Sequence, residues 1–370
     1  MNIGVFVLII LGIILIKLFI ETKPDYNNYE AFNSLGKVCD PPILLKEVFD
    51  ENGLTYNKTD NDYYFPCTYD TCEADALAIS MSNISKDKKI FLIDGCDVLA
   101  SKLDLWRKLK NYFGKDADKY MPRTYLLEEE SFNNNFREHF LKNLKIREDH
   151  MYVLKNYKQR QEGIKITSNL NEITGGLNNG WFLVQDYVYD PYIIANRKIN
   201  LRYYLLIVCH KNKIYAYLYN DGFVYYTPDT YNDKDNSFSK HVTTGYIDRK
   251  IYDENPLTIQ DFIKYLETKS KNLSHKLISS TTSLMKNIMK ALDGNICSNK
   301  KLEHYKRFQL FGCDVAPDIS LEVKLMEINK GPDIGAKDIR DKILKKKLLQ
   351  DIINIIEDKM DYINGFNRIY

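Results

Sequence analysis

The segment SLEVKLMEINKGP, residues 320–332, reads as a strand whose successive side chains alternate between two faces. Val323 and Leu325 are apolar on one face, and the next two residues on that face are Glu327 and Asn329. A strand that builds core and then presents a carboxylate and a carboxamide has reached something other than core. The preceding stretch, KRFQLFGCDVAPDI (306–319), reads as its partner, with Phe308, Leu310, Gly312 and Asp314 alternating. A turn centred between Ser320 and Leu321 sets Asp314 opposite Glu327, with Cβ atoms ~5 Å apart. Two facing carboxylates repel, so they share a proton or hold a cation between them. Asn329 adds a third oxygen, and this hard donor set suits Mg²⁺, an ion that also grips phosphates. A solvent-exposed strand end is the competing reading of the same residues.

Two further stretches carry cations. Lys155 ends a short strand, Tyr152 to Leu154, beside a polar basic loop that resumes as a strand after Gly163. An ammonium is a compact point charge for phosphate oxygens. On this stretch alone, a surface hairpin with solvated lysines is the better reading. In KINLRYYLLIV (198–208), Ile199, Leu201, Tyr203, Leu205 and Ile207 form one apolar face. Lys198, Asn200 and Arg202 share the other and turn into Tyr204, Leu206 and Val208. Two cations and an amide in register mark a face entering a cleft that holds something anionic. A half-solvated antiparallel strand explains the segment equally well.

The elements that must position these groups belong to a chain of 370 residues, 44% hydrophobic and 28% charged, long enough for two domains. A formal net charge of +2, with scattered basic runs, gives no electrostatic case for nucleic acid. Seven cysteines without a CxxC pair or metal-finger spacing read as reduced thiols of a cytosolic body. Residues 3–20 are apolar except for Lys17 and come to about 27 Å as a helix, enough to span a bilayer core. Without a basic start or a small-x-small cleavage site, this run reads as an uncleaved single-pass anchor. Lys17 and Lys23 on its C-terminal side place the body on the cytosolic side of the membrane. IFLID (90–94) reads as a buried strand leading into a helix with Leu99, Leu103, Trp106 and Leu109 at helical spacing. The expected organisation is an anchor (1–22), an N-terminal α/β subdomain (23–118) and a larger α+β unit (119–370).

Taken together, these segments resemble the tubulin–tyrosine ligase-like family of ATP-grasp enzymes, in the family's order across about residues 89–365. DVLASKLDLWRKL resembles the N-terminal stretch with its lysine, Lys102, and MPRTYLL the Pro-x-Thr segment at Pro122 and Thr124. Lys155 matches the lysine before the glycine-rich phosphate loop, and RQEGI stands where that loop ends. VQDYVYDPYII resembles the adenine-cradling hinge, with Gln185 and Tyr187; KINLR matches a lysine-x-acid-x-arginine signature at Lys198 and Arg202. HVTTG resembles a His-x-Thr-Asn segment at His241 and Thr243, and FGCDV with LMEINKGP matches the metal triad Asp314, Glu327 and Asn329. Asn200 stands where the family has Asp, Thr244 where it has Asn, and Tyr225 where an arginine is expected. The phosphate loop is also one residue and one glycine short.

The resemblance implies an ATP-grasp-like α+β fold that binds ATP between two lobes. Lys155, Gln185, Tyr187, Lys198, Asn200, His241 and Thr243 would contact nucleotide, the triad would hold Mg²⁺, and Arg202 and Lys198 would act in catalysis. The implied reaction adds an amino acid (glutamate, glycine or tyrosine) to a protein carboxylate through an acylphosphate, with tubulin the acceptor by family default. A membrane-tethered nucleotide-binding pseudoenzyme and a structural membrane protein remain as other readings.

Overall fold

The computed structural model describes residues 39–56, 62–80, 88–129, 132–147, 149–156, 163–359 and 364–370. The apolar run 3–20, and with it the expected anchor, lies outside these residues. Among the described residues no helix is long and apolar enough to cross a membrane. The fold is mixed α+β, built on two sheets.

In chain order the strands are β1 (Tyr63–Tyr64), β2 (Lys89–Ile90), β3 (Thr124–Leu126), β4 (Tyr152–Lys155), β5 (Ile164–Thr167) and β6 (Leu183–Asp186). There follow β7 (Ile193–Ile194), β8 (Arg197–His210), β9 (Lys213–Tyr226), β10 (Lys306–Pro317), β11 (Val323–Asn329) and β12 (Phe366–Arg368). The larger sheet runs β1-β2-β10-β8-β9-β12, with β11 added on β10 and β7 on β8; the smaller one runs β3-β6-β4-β5. The N-terminal strands β1 and β2 therefore extend the same sheet that carries the C-terminal hairpin.

The centre of the larger sheet is the β8–β9 hairpin. Its two-residue turn, Lys211–Asn212, has both residues in the left-handed region, the geometry whose twist matches that of the strands it joins. From Tyr203 to Cys209, β8 is buried on both faces, which rules out a half-solvated strand over that stretch. Its register with β9 shifts between Tyr203 and Leu205. Opposite that irregularity a Cβ on Gly222 would lie 2.0 Å from the Arg202 carbonyl oxygen, so only glycine fits. The helices Ile259–Lys269 and Lys271–Leu292 pack against β9 and β11, and the helix Ile339–Ile356 lies against β9. The first of these starts in a capping box between Thr258 and Asp261.

Three expectations are corrected. The helix read through Leu99, Leu103, Trp106 and Leu109 is two helices, Asp97–Ala100 and Lys102–Phe113. Ser101, in extended backbone, ends the first and caps the second by accepting from the Asp104 N–H. The strand expected at 90–94 is only Lys89–Ile90, because Asp94 turns inward to Arg307 instead of continuing a ladder. The cysteines are not all thiols: Cys39 pairs with Cys67 and Cys209 with Cys297, leaving Cys72, Cys96 and Cys313 free. Sequence separations of 28 and 88 hide these pairs from any spacing rule, and cysteine usage no longer argues for a reducing compartment.

Arg307 on β10 is 1% exposed and Asp94 4%, and their ion pair joins the N-terminal segment to the central sheet. Asp94 also accepts from the Asn299 N–H at 2.7 Å. Removing one partner of such a pair strands a buried charge. Asp94→Ala should lower stability by about 3–5 kcal/mol in urea unfolding. Combining Asp94→Leu with Arg307→Met should recover most of the loss, and a single variant as stable as the parent would refute the coupling.

Candidate active site

The β10–β11 hairpin sets Asp314 directly opposite Glu327 and Gly312 opposite Asn329, as the alternation predicts. The route differs from the expected one. Pro317 pairs with Val323, so the turn centres on Ser320, and a shift of register between Asp314 and Val315 restores the pairing at the acidic end. Val323 and Leu325 are buried, while Glu327 and Asn329 are half-buried; the unpaired residue Met326 turns both to the face opposite Val323 and Leu325, which corrects the expected continuation of a single face.

On the other edge of β10, Asp314 stands opposite Arg202 of β8. Arg202 donates from Nε to Oδ1 at 2.5 Å and from Nη2 to Oδ2 at 2.8 Å, a bidentate fork. Arg202 in turn faces Phe223 of β9, so Phe223, Arg202, Asp314 and Glu327 form one row across four strands. Burial pushes the Asp314 carboxyl up to about 6 even with Arg202 beside it, and Glu327 adds to the rise. Glu327 goes the other way: burial would raise it, but Lys155 and Lys102 together hold it below the usual carboxylate range. The two facing carboxyls are thus pushed in opposite directions by their surroundings.

The cations converge on this row from both sheets. Lys155 ends β4 and Lys198 lies near the start of β8, and both are buried. Burial lowers each ammonium to about 8, and each neighbours another lysine: Lys155 beside Lys198, and Lys102 beside Lys155. Lys102 donates to the Asn156 carbonyl at 3.4 Å. The Lys198 ammonium lies 4.6 Å from the centre of the Tyr187 ring, whose hydroxyl is 2.7 Å from His241 Nδ1. Thr243 follows on the same loop, half-buried.

Other expected contacts fall differently. Gln185 on β6 is buried and its amide donates to Thr124 Oγ1 at 2.8 Å, while the Thr124 hydroxyl donates to the Pro122 carbonyl. Gln185 and the Pro-x-Thr segment therefore lock β3 to β6, and the Asp186 and Tyr187 N–H groups donate to the Arg123 and Met151 carbonyls. Asn200 pairs across the sheet with Tyr225, and its Oδ1 is buried without a partner among the described residues. Tyr225 lies over Arg202, 5.3 Å from the guanidinium. Lys165 pairs with Glu172 at the surface, 3.1 Å away, and Arg160 lies outside the described residues. A cavity of 450 Å³ opens where Asp186 to Tyr189 meet the turn end of the hairpin, and none of the triad lines it.

Sequence reading missed the pairing of Arg202 with Asp314, because the two strands lie more than a hundred residues apart and no turn fixes their register. The polar row of β8 was the available signal. Chemically, two carboxylates and an amide oxygen near two buried lysines are the hard donors a divalent ion takes, with both Asp314 oxygens held by Arg202 in this arrangement. The buried, unpartnered Asn200 oxygen is a further acceptor without a protein donor.

The model of the tubulin-tyrosine ligase family matches residues 79–363 of the chain. The probable tubulin polyglutamylase TTLL9 of Rattus norvegicus is 30% identical over 206 residues, covering 51% of this chain and 42% of that protein. Tubulin polyglutamylase ttll-5 of Caenorhabditis elegans is 24% identical over 231 residues, 55% of this chain and 30% of that protein. Tubulin glycylase 3B of Drosophila melanogaster is 23% identical over 288 residues, 74% of this chain and 36% of that protein. The chain spans less than half the length of these relatives. With the family's segments in order and its acidic hairpin meeting the cations of both sheets, the chain belongs to the tubulin-tyrosine ligase family.

Proposed function

We propose that the chain is an ATP-dependent carboxylate–amine ligase of ATP-grasp type, joining an amino acid to a carboxylate of a tubulin-like protein acceptor. The observation that carries this reading is the row Arg202–Asp314–Glu327 flanked by Lys155 and Lys198. Its names-in-kind among the relatives are polyglutamylases and a glycylase.

Asp314, Glu327 and Asn329 would hold Mg²⁺, which when bound neutralises charge on the polyphosphate. Lys155 and Lys198 would place two ammonium charges against the phosphates from opposite sheets, and the segment Gln185 to Tyr187 would lie beside adenine. The Tyr187 ring packs against the Lys198 ammonium, and the Tyr187 hydroxyl is held in turn by hydrogen bonding to His241. An acceptor carboxylate oxygen attacks the terminal phosphorus and ADP leaves. The amine of the incoming amino acid then attacks the acyl carbon, phosphate departs, and an amide forms with loss of a proton from nitrogen. The protein contributes positioning and preorganised charge, and no covalent nucleophile of its own is required. A second reading, a nucleotide-binding pseudoenzyme, is favoured by Arg202, whose fork occupies both Asp314 oxygens.

Amino-acid-dependent release of ADP, with Lys155→Ala as the control, separates the two. Release above that control supports the ligase; ATP binding without it leaves the pseudoenzyme. Glu327→Gln should weaken Mg·ATP binding by roughly 10–100-fold in a titration while the variant stays folded. Unchanged affinity would remove the triad from the site. Because Lys155 and Lys198 lose their protons near pH 8, phosphate binding above that value must be coupled to proton uptake. Nucleotide affinity should therefore fall as pH rises from 7 to about 9. Calorimetry in buffers of differing ionisation enthalpy reads the proton uptake, and a flat profile would contradict the lysine assignment.

A further inference from the structure

Near the row lies a cation whose ammonium contacts only neutral groups among the described residues. Lys337 lies on the segment between β11 and the helix Ile339–Ile356, and its Nζ donates to the Gly245 carbonyl at 2.7 Å. The same ammonium sits 4.0 Å from the centre of the Tyr246 ring. Both contacts are with neutral groups, and Lys337 makes no ion pair with a carboxylate among the described residues. An ammonium has three donors, and one is used here.

The position of this cation relative to the row is fixed by Gly245. A Cβ there would lie 3.0 Å from Lys337 Nζ and 3.2 Å from the Tyr225 ring, so lysine and tyrosine meet across a bare backbone. Tyr225 is the ring that covers Arg202, and Arg202 holds Asp314. The chain of contacts therefore runs from the acidic row outward through Tyr225 and Gly245 to Lys337 and ends on Tyr246. Tyr246 is 82% exposed, an aromatic face beside a cation with unused donors. Of the acids near Lys337, Asp341 pairs with Lys345 and Asp338 with Arg249, while Asp333 accepts from the Gly335 N–H. Partial burial, and then Lys345 and Arg249, disfavour the charged ammonium, while Asp333 and Asp341 pull the other way. A bound carboxylate would relieve that excess of positive charge.

We propose that Lys337 and Tyr246 form an outer carboxylate-binding position, which takes an acidic side chain of the acceptor protein while the reacting carboxyl lies inward, towards Arg202. The assignment rests on the ligase reading for its inner half only; the outer position is a property of the surface itself. Lys337 supplies a charge-assisted hydrogen bond, and the Tyr246 ring covers the aliphatic stem of the same residue.

The test is fluorescence anisotropy of a labelled Glu-rich peptide with the full-length chain, beside a Gln-rich peptide of equal length. The Glu-rich peptide should bind and the Gln-rich one should not. Lys337→Ala should weaken binding about tenfold, Lys337→Arg should retain most of it, and Lys337→Glu should abolish it. Lys286→Ala, an exposed lysine on the helix Lys271–Leu292, should have no effect. Absence of binding by the parent chain, or equal binding by Lys337→Ala and the parent, overturns the proposal. Where ADP release is measurable, the KM for the acceptor should rise in Lys337→Ala. A rise confined to the KM for the free amino acid overturns the acceptor assignment. A chain that binds the peptide through Lys337 but releases no ADP leaves this position standing and removes the ligase reading.

Discussion

The fork between Arg202 and Asp314 is the interaction on which the site depends. It bridges β8 and β10, neighbouring strands at the middle of the sheet, through two hydrogen bonds that hold both side chains. An acid buried next to another acid is costly unless a cation compensates it. Arg202 does so for Asp314, and Lys155 with Lys102 does so for Glu327. The two carboxylates can therefore face each other across a hairpin without unfolding it.

The same arrangement crowds cations. Lys155 and Lys198 are both buried and near each other, which makes their charged forms unfavourable in the absence of a ligand. A protein that concentrates like charges at the meeting of two sheets has stored a preference for an anion. Arg202 has a double part in this balance. It stabilises the row, and it also competes for the oxygens that a divalent ion would use. The β8–β9 irregularity opposite Gly222 belongs to this compromise, because it lets the strand carry Arg202 into the row and then return to a regular ladder.

The departures from the family pattern give this candidate site its own character. Tyr225 covers the guanidinium where a second fixed cation would stand, and Asn200 offers a neutral oxygen beside it. Gln185 illustrates a different point. Its residue type fits a nucleotide contact, yet its amide is committed to Thr124 and holds two strands of the smaller sheet together.

A short connection between β10 and β11 confined their register to a few residues, so the pairing of Asp314 with Glu327 was legible in the sequence. The face was not: alternation put Glu327 and Asn329 beside Val323 and Leu325, and only the bulge at Met326 turned them to the side of Asp314. The polar row Lys198, Asn200 and Arg202 was legible from alternation along β8. Tertiary structure alone decided which acid the arginine would hold, since β8 and β10 meet through a register that no turn specifies. It alone decided that Cys39 joins Cys67 and that Cys209 joins Cys297. It also decided that Lys337, from a segment with no periodic signal, would reach Gly245 beside Tyr225. Contacts between distant segments are set by how whole sheets and helices pack, and local pattern carries no record of that packing.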